Sequence, residues 1–81
     1  MRLDKYLKNA RLIKRRTVAN EACDTDRVEV NGKVEKPSYR VKVGDIVTIS
    51  FGNKRLKIRV LSIDDHPNKD AASLLYEEIK E

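Results

Sequence analysis

The chain is poor in the residues from which most chemistry is built. It has one cysteine, Cys23, and one histidine, His66. A single thiol excludes an internal disulfide and any multi-cysteine metal site. Cys23 therefore reads as a small apolar residue on a helix. His66 stands beside Asp64 and Asp65 in a polar stretch. Metal ligands usually converge from separate elements, so it reads as a solvated loop residue. No Ser/His/Asp set and no glycine-rich phosphate loop is present. No apolar run approaches the ~20 residues of a membrane span, and the first residues lack the apolar stretch of a secretory leader. The 81 residues make one small domain with a thin core, with a net stability of roughly 3–5 kcal/mol. The expectation is a cytoplasmic, non-enzymatic protein that needs no cofactor and does not act at a membrane.

Negative charge is missing from one place in particular. No acidic residue lies between Asp4 and Glu21, and that gap holds Lys5, Lys8, Arg11, Lys14, Arg15 and Arg16. The asymmetry extends along the chain. Residues 1–60 carry sixteen basic and seven acidic side chains, a net of +9, and residues 61–81 carry two and six, a net of −4. A solvated helix face usually mixes signs, because like charges at i, i+4 destabilise the helix. Here one sign persists with Arg11 and Arg15 at that spacing, which a polyanion would relieve. Arginine adds a planar fork that grips phosphate bidentately and stacks on bases.

The same stretch carries apolar residues at helical spacing. Leu3, Leu7 and Ala10 fall at i, i+4, i+7, predicting a first helix over about 3–9, with Tyr6 in the core and its hydroxyl at the edge. Asp4 falls in the first turn, where a carboxylate suits the helix dipole. Leu12 and Ile13 mark a short packed connection. A second helix is predicted over about 15–24, with Val18, Ala19, Ala22 and Cys23 as its apolar stripe.

After Asp26 the period changes to two. Arg27 to Val30 alternate, and Asn31-Gly32 follows, the signature of a tight type I′ hairpin turn. Val34 begins the return strand, and Lys36-Pro37-Ser38 interrupts pairing. Val43-Gly44-Asp45 is a turn. A strand is predicted over 46–51 with Val47, Ile49 and Phe51 on one face. Another runs from Leu56 to about Ile63, after a turn at Gly52-Asn53. A polar loop over 64–69 and an acidic helix over 70–80, with Ala71, Leu74, Leu75 and Ile79 as its apolar side, complete the reading. Arg27, Asn31, Lys33, Lys36 and Arg40 extend the basic surface onto the hairpin, and Tyr39 is placed to stack on a base.

Arg2-Leu3-Asp4-Lys5, Ala10-Arg11, Arg27-Val28-Glu29-Val30-Asn31-Gly32, Lys36-Pro37-Ser38 and Val43-Gly44-Asp45-Ile46, in this order, resemble the S-four RNA-binding domain, named after a small-subunit ribosomal protein. The resemblance covers about residues 1–50. It implies an α+β fold: two N-terminal helices packed on a small, mostly antiparallel sheet, with a short C-terminal helix. Residues 1–63 would form the RNA-binding domain, and 64–81 an acidic loop and helical extension.

The chain also resembles small stand-alone members of that family that act in ribosome-associated quality control, relatives of heat-shock protein fifteen. This implies a factor on obstructed large ribosomal subunits that contacts ribosomal RNA and peptidyl-tRNA as a monomer, beside a factor that tails the nascent chain. The RNA contacts carried over by the resemblance are Arg2, Lys5, Arg11, Lys14, Arg15 and Arg16, with Asn31 and Lys33 from the hairpin. Asp4 would cap the first helix or orient an arginine. Two positions depart from the family pattern. Ala10 stands where a serine is common, and Asp26 where a glycine is common, at a point that would want positive φ. Other readings remain beside this one: a subunit-recycling factor of the heat-shock-fifteen type, an RNA-binding module serving an RNA-modifying enzyme, and a DNA-binding helix pair.

Overall fold

The computed structural model of the chain describes residues 1–63 and 75–79. Helix α1 spans Leu3–Asn9 and α2 spans Arg16–Asp24. Strands β1 (Val28–Val30), β2 (Lys33–Val34), β3 (Ile46–Phe51), β4 (Lys54–Val60) and β5 (Tyr76–Glu78) follow. They form one antiparallel sheet in the order β2-β1-β3-β4-β5.

Helix α1 buries Leu3, Tyr6, Leu7 and Ala10, the i, i+3, i+4, i+7 face that its spacing predicts. Its leading amides would be orphans in an isolated helix. Leu3 N–H donates to the Tyr39 carbonyl (2.8 Å) and Asp4 N–H to the Pro37 carbonyl (3.3 Å). Lys5 N–H donates to the Asp4 carboxylate (2.8 Å). The segment around Pro37–Val41 thus serves as the cap of α1, and a bridge between Arg2 and Arg40 fixes its alignment.

Both helices end in the same way. Leu12 N–H reaches the Leu7 carbonyl (3.1 Å), and Arg11 N–H reaches that of Lys8 (3.0 Å). At the end of α2, Arg27 N–H reaches Ala22 (3.0 Å) and Asp26 N–H reaches Cys23 (3.3 Å). These are paired 6→1 and 5→2 bonds of the Schellman motif, which needs one left-handed residue just past the helix. That residue is Arg11 (φ 59°) in the first case and Asp26 (φ 60°) in the second. The expected positive φ at Asp26 is present, and Arg11 shares it.

The central strands alternate. Val28, Val30, Val47, Ile49, Ile58 and Val60 are buried on the helix side. The β1–β2 turn has positive φ at both Asn31 (54°) and Gly32 (86°), which type I′ geometry demands.

Four expectations are corrected. Val18 is 48% exposed. The buried face of α2 is Ala19 and Cys23, with Ala22 partly covered, and Val18 lies one residue round from it. Phe51 keeps the parity of Val47 and Ile49 but stands at the strand end and is 46% exposed. The predicted acidic helix is not helical at Tyr76–Glu78, which pair with β4 as Ile58↔Glu78, Arg59↔Glu77 and Val60↔Tyr76. The open edge of β4 offers backbone partners there, and Arg59 Nη1 meets Glu77 Oε1 at 2.9 Å. Residues 70–74 and 80 of that predicted helix, and the loop holding His66, lie outside the described residues. Leu75 is buried, and its carbonyl accepts the Tyr6 hydroxyl at 2.7 Å. The Tyr6 hydroxyl is therefore interior, and burial with the nearby Tyr76 phenol pushes its pKa up.

Candidate nucleic-acid interface

The α1–α2 connection is short because Ile13 is buried and Leu12 packs beside it. This holds the start of α2 next to the start of α1. Lys8, Arg11, Lys14, Arg15 and Arg16 are all exposed there. Among the described residues, Lys8, Arg11, Lys14 and Arg15 have no carboxylate within ion-pair reach. Arg15 is the N-cap of α2 and makes no side-chain capping bond. Cations and an uncapped end at the positive pole of a helix are an unfavourable arrangement that an anion corrects.

One acid sits within this cationic surface. The Asp4 side chain is 3% exposed. Its Oδ1 accepts from Arg2 Nε at 3.2 Å and from the Lys5 amide at 2.8 Å. Its Oδ2 accepts from Asn20 Nδ2 at 3.3 Å and lies 3.5 Å from Arg16 Nε. Burial works against the charge of Asp4. The hydrogen bonds from Asn20, Arg2 and the Lys5 amide, with the charge of Arg2, outweigh it and hold the carboxyl below its usual value. Arg2 and Arg16 are half exposed, at 47% and 49% of their side chains. With Asp4, Thr17 and Asn20 they line a shallow depression of about 410 Å³.

The hairpin is organised by a second buried acid, Asp45. Its Oδ1 accepts from Asn31 Nδ2 (3.1 Å), and its Oδ2 accepts from the Tyr39 hydroxyl (3.0 Å) and the Lys42 amide (2.9 Å). The Asn31 side-chain oxygen accepts from the Ile46 amide at 3.0 Å. Asn31 therefore anchors the hairpin with both ends of its amide. Tyr39, expected as a stacking platform, is half-buried and tied to Asp45. Burial and that carboxylate raise its pKa. Since the Tyr39 carbonyl also caps α1, the hairpin and the helix pair are held in one frame. Lys33 is exposed on the short edge strand β2.

Of the sequence-predicted site residues, Arg2, Asp4 and Arg16 come together, and Lys5 adjoins them in the same helical turn. Arg11, Lys14 and Arg15 follow around the connection, and Asn31 and Lys33 stand apart on the hairpin. Asn20 and Asp45 were not anticipated. Asn20 was legible in one respect, since it follows Arg16 at i+4 and so shares its helix face.

Residues 1–47 match the model of the S4 domain. The RQC P-site tRNA stabilizing factor of Streptococcus pneumoniae is 53% identical over 81 residues, spanning all of this chain and 92% of that protein. The protein of the same name from Bacillus subtilis is 46% identical, again over the whole chain and 94% of its own length. Among solved structures, the trimeric heat shock protein 15 of Vibrio cholerae superposes with a TM-score of 0.89 at 34% identity, covering 98% of this chain and 81% of the other.

Proposed function

Because this chain belongs to the S4-domain family, we propose that it is a non-catalytic RNA-binding factor of the large ribosomal subunit. It contacts ribosomal RNA and the peptidyl-tRNA of obstructed subunits, and so supports tailing of the stalled nascent chain in ribosome-associated quality control. The observation that carries the reading is the cationic surface of Arg2, Lys8, Arg11, Lys14, Arg15 and Arg16, mounted on two packed helices. A rigid cationic face of this kind suits a folded polyphosphate backbone. Full-length similarity to proteins named for stabilising a P-site tRNA supports the choice of target.

Lys5 joins the contacts from the first turn of α1, and Lys33 joins them from the hairpin. Asn31 serves mainly by holding that hairpin in place. Phosphate contacts of this sort position a protein without reading sequence, so selectivity comes from the shape of the RNA. The factor acts in the cytoplasm wherever subunits stall, and its partners are the subunit's RNA, the tRNA and a nascent-chain tailing factor.

The test is co-sedimentation with large subunits that carry peptidyl-tRNA and with empty ones, using the wild type and Arg16→Ala. The wild type is expected to favour the loaded particle and Arg16→Ala to lose that preference. Equal binding of both proteins to both particles would sink the reading.

A further inference from the structure

A carboxylate at the centre of an anion-binding surface lowers its attraction for phosphate. Asp4 is nevertheless buried there, between two arginines from different helices. We propose that Asp4 is a positioning residue that sets Arg2 and Arg16 as the two prongs of a single phosphate clamp. This inference rests on the RNA-binding reading above and names how part of that surface discriminates.

The geometry carries the argument. Each carboxylate oxygen takes one arginine, and each arginine is approached through Nε. Holding a guanidinium by Nε leaves its Nη1–Nη2 edge, which can match two phosphate oxygens, available to a ligand. The depression lined by Arg2, Arg16, Thr17 and Asn20 lies over Asp4. Asn20 and the Lys5 amide satisfy the oxygens further, so the acid is held as firmly as the arginines it holds.

Without Asp4 the two guanidinium groups would repel and spread, and the pair would carry +2. With it the trio carries +1, and both prongs keep one spacing. Raw attraction is reduced, and less side-chain entropy remains to be lost on binding. Such a clamp favours a phosphate held in a fixed place by folded RNA over the mobile phosphates of an unstructured strand.

Two probes distinguish the outcomes: large ribosomal subunits, and poly(U) as unstructured RNA. Asp4→Asn keeps the shape and removes the charge. Binding to subunits should weaken about tenfold, the scale of one lost charge-assisted hydrogen bond, while poly(U) binding stays equal or tightens. In an Arg2→Ala/Arg16→Ala background, Asp4→Asn should cost nothing further on subunits, because it acts through those arginines. An equal loss on both RNAs, or an undiminished cost in the double-alanine background, would reduce Asp4 to a structural role and overturn the proposal.

Arg16→Lys guards against a misfolded Asp4 variant. It keeps the charge at a half-exposed site and removes the fork, so subunit binding should fall while poly(U) binding holds. Subunit binding equal to the wild type overturns the clamp. A wild type that binds subunits no better than poly(U) removes the RNA-target reading itself.

Discussion

Arg11 and Asp26 occupy the same position in the same motif, one past the end of α1 and the other past the end of α2, with φ of 59° and 60°. Glycine is the usual occupant of that site, because a Cβ in the left-handed region costs about 1–2 kcal/mol. Neither position is glycine here, and the two residues should respond differently to becoming one.

Asp26→Gly relieves that strain and introduces the backbone entropy of glycine, about 0.5–1 kcal/mol. The balance is a gain of about 0.5–1 kcal/mol, seen as a higher midpoint in urea unfolding. RNA affinity should be unchanged or slightly higher, since one negative charge is removed from the domain.

Arg11→Gly should give a similar rise in the unfolding midpoint and weaken RNA binding. Stability and affinity would then move in opposite directions at one residue, which titration of folded variants against large subunits can read directly. A variant that gained in both would show that the Arg11 side chain contributes nothing to the interface.

Salt dependence measures the surface as a whole. If about six phosphates are neutralised, log affinity falls against log salt with a slope of about −4 to −5. Lys14→Ala and Arg15→Ala should each reduce the magnitude of that slope by about 1 with little effect on the unfolding midpoint, as both side chains are exposed. Filter-binding titrations across salt concentrations check both statements.

Asp45→Ala should be costly. It strands the Asn31 amide, the Tyr39 hydroxyl and the Lys42 amide together. Unsatisfied partners of a buried carboxylate cost about 2–4 kcal/mol in sum, a large share of the stability of a domain this size. Urea unfolding should show it, and RNA binding should weaken through the displaced hairpin even below the unfolding midpoint.

Stability should also have two flanks in pH. The Asp4 carboxyl is held low, so the folded state favours its charged form. That contribution is present above its ordinary value of 3.8 and is lost as pH falls through the lowered one. Tyr6, Tyr39 and Cys23 are shifted the other way. Burial foremost, with the Asp4 and Asp24 carboxylates, pushes the Cys23 thiol from 9.0 up to about 11. Its contribution is complete below pH 9 and is lost as pH rises through about 11. Thermal melts should show a plateau between these flanks, and Cys23→Ala should soften the alkaline one. Alkylation of Cys23 in the native protein at pH 8 should be slow and should quicken on unfolding.

Periodicity made the helix pair, the Asn31-Gly32 hairpin and the central strands legible, because each buries one face on a single core. The strand at Tyr76–Glu78 was not legible. Leu74, Leu75 and Ile79 satisfy helical spacing equally well, and only the open edge of β4 decides between the two forms. The site divides in the same way. Its charges are visible in the chain, since an acid-free run needs only counting. The convergence of Arg2 and Arg16 on one carboxylate is tertiary and depends on the Leu12–Ile13 connection bringing two helix starts together. Arg11 gave no sign of its left-handed backbone, because arginine carries none of the preference that marks glycine or asparagine at such points.

The hydrogen bond from Tyr6 to the Leu75 carbonyl joins positions near opposite ends of the chain. A contact of such long sequence separation must meet the entropy of closing the loop between its ends before it returns anything. The interior of α1 is therefore completed only when residue 75 has been synthesised and has docked. A nascent copy carries its cationic helices with the Tyr6 hydroxyl still lacking its carbonyl partner until then.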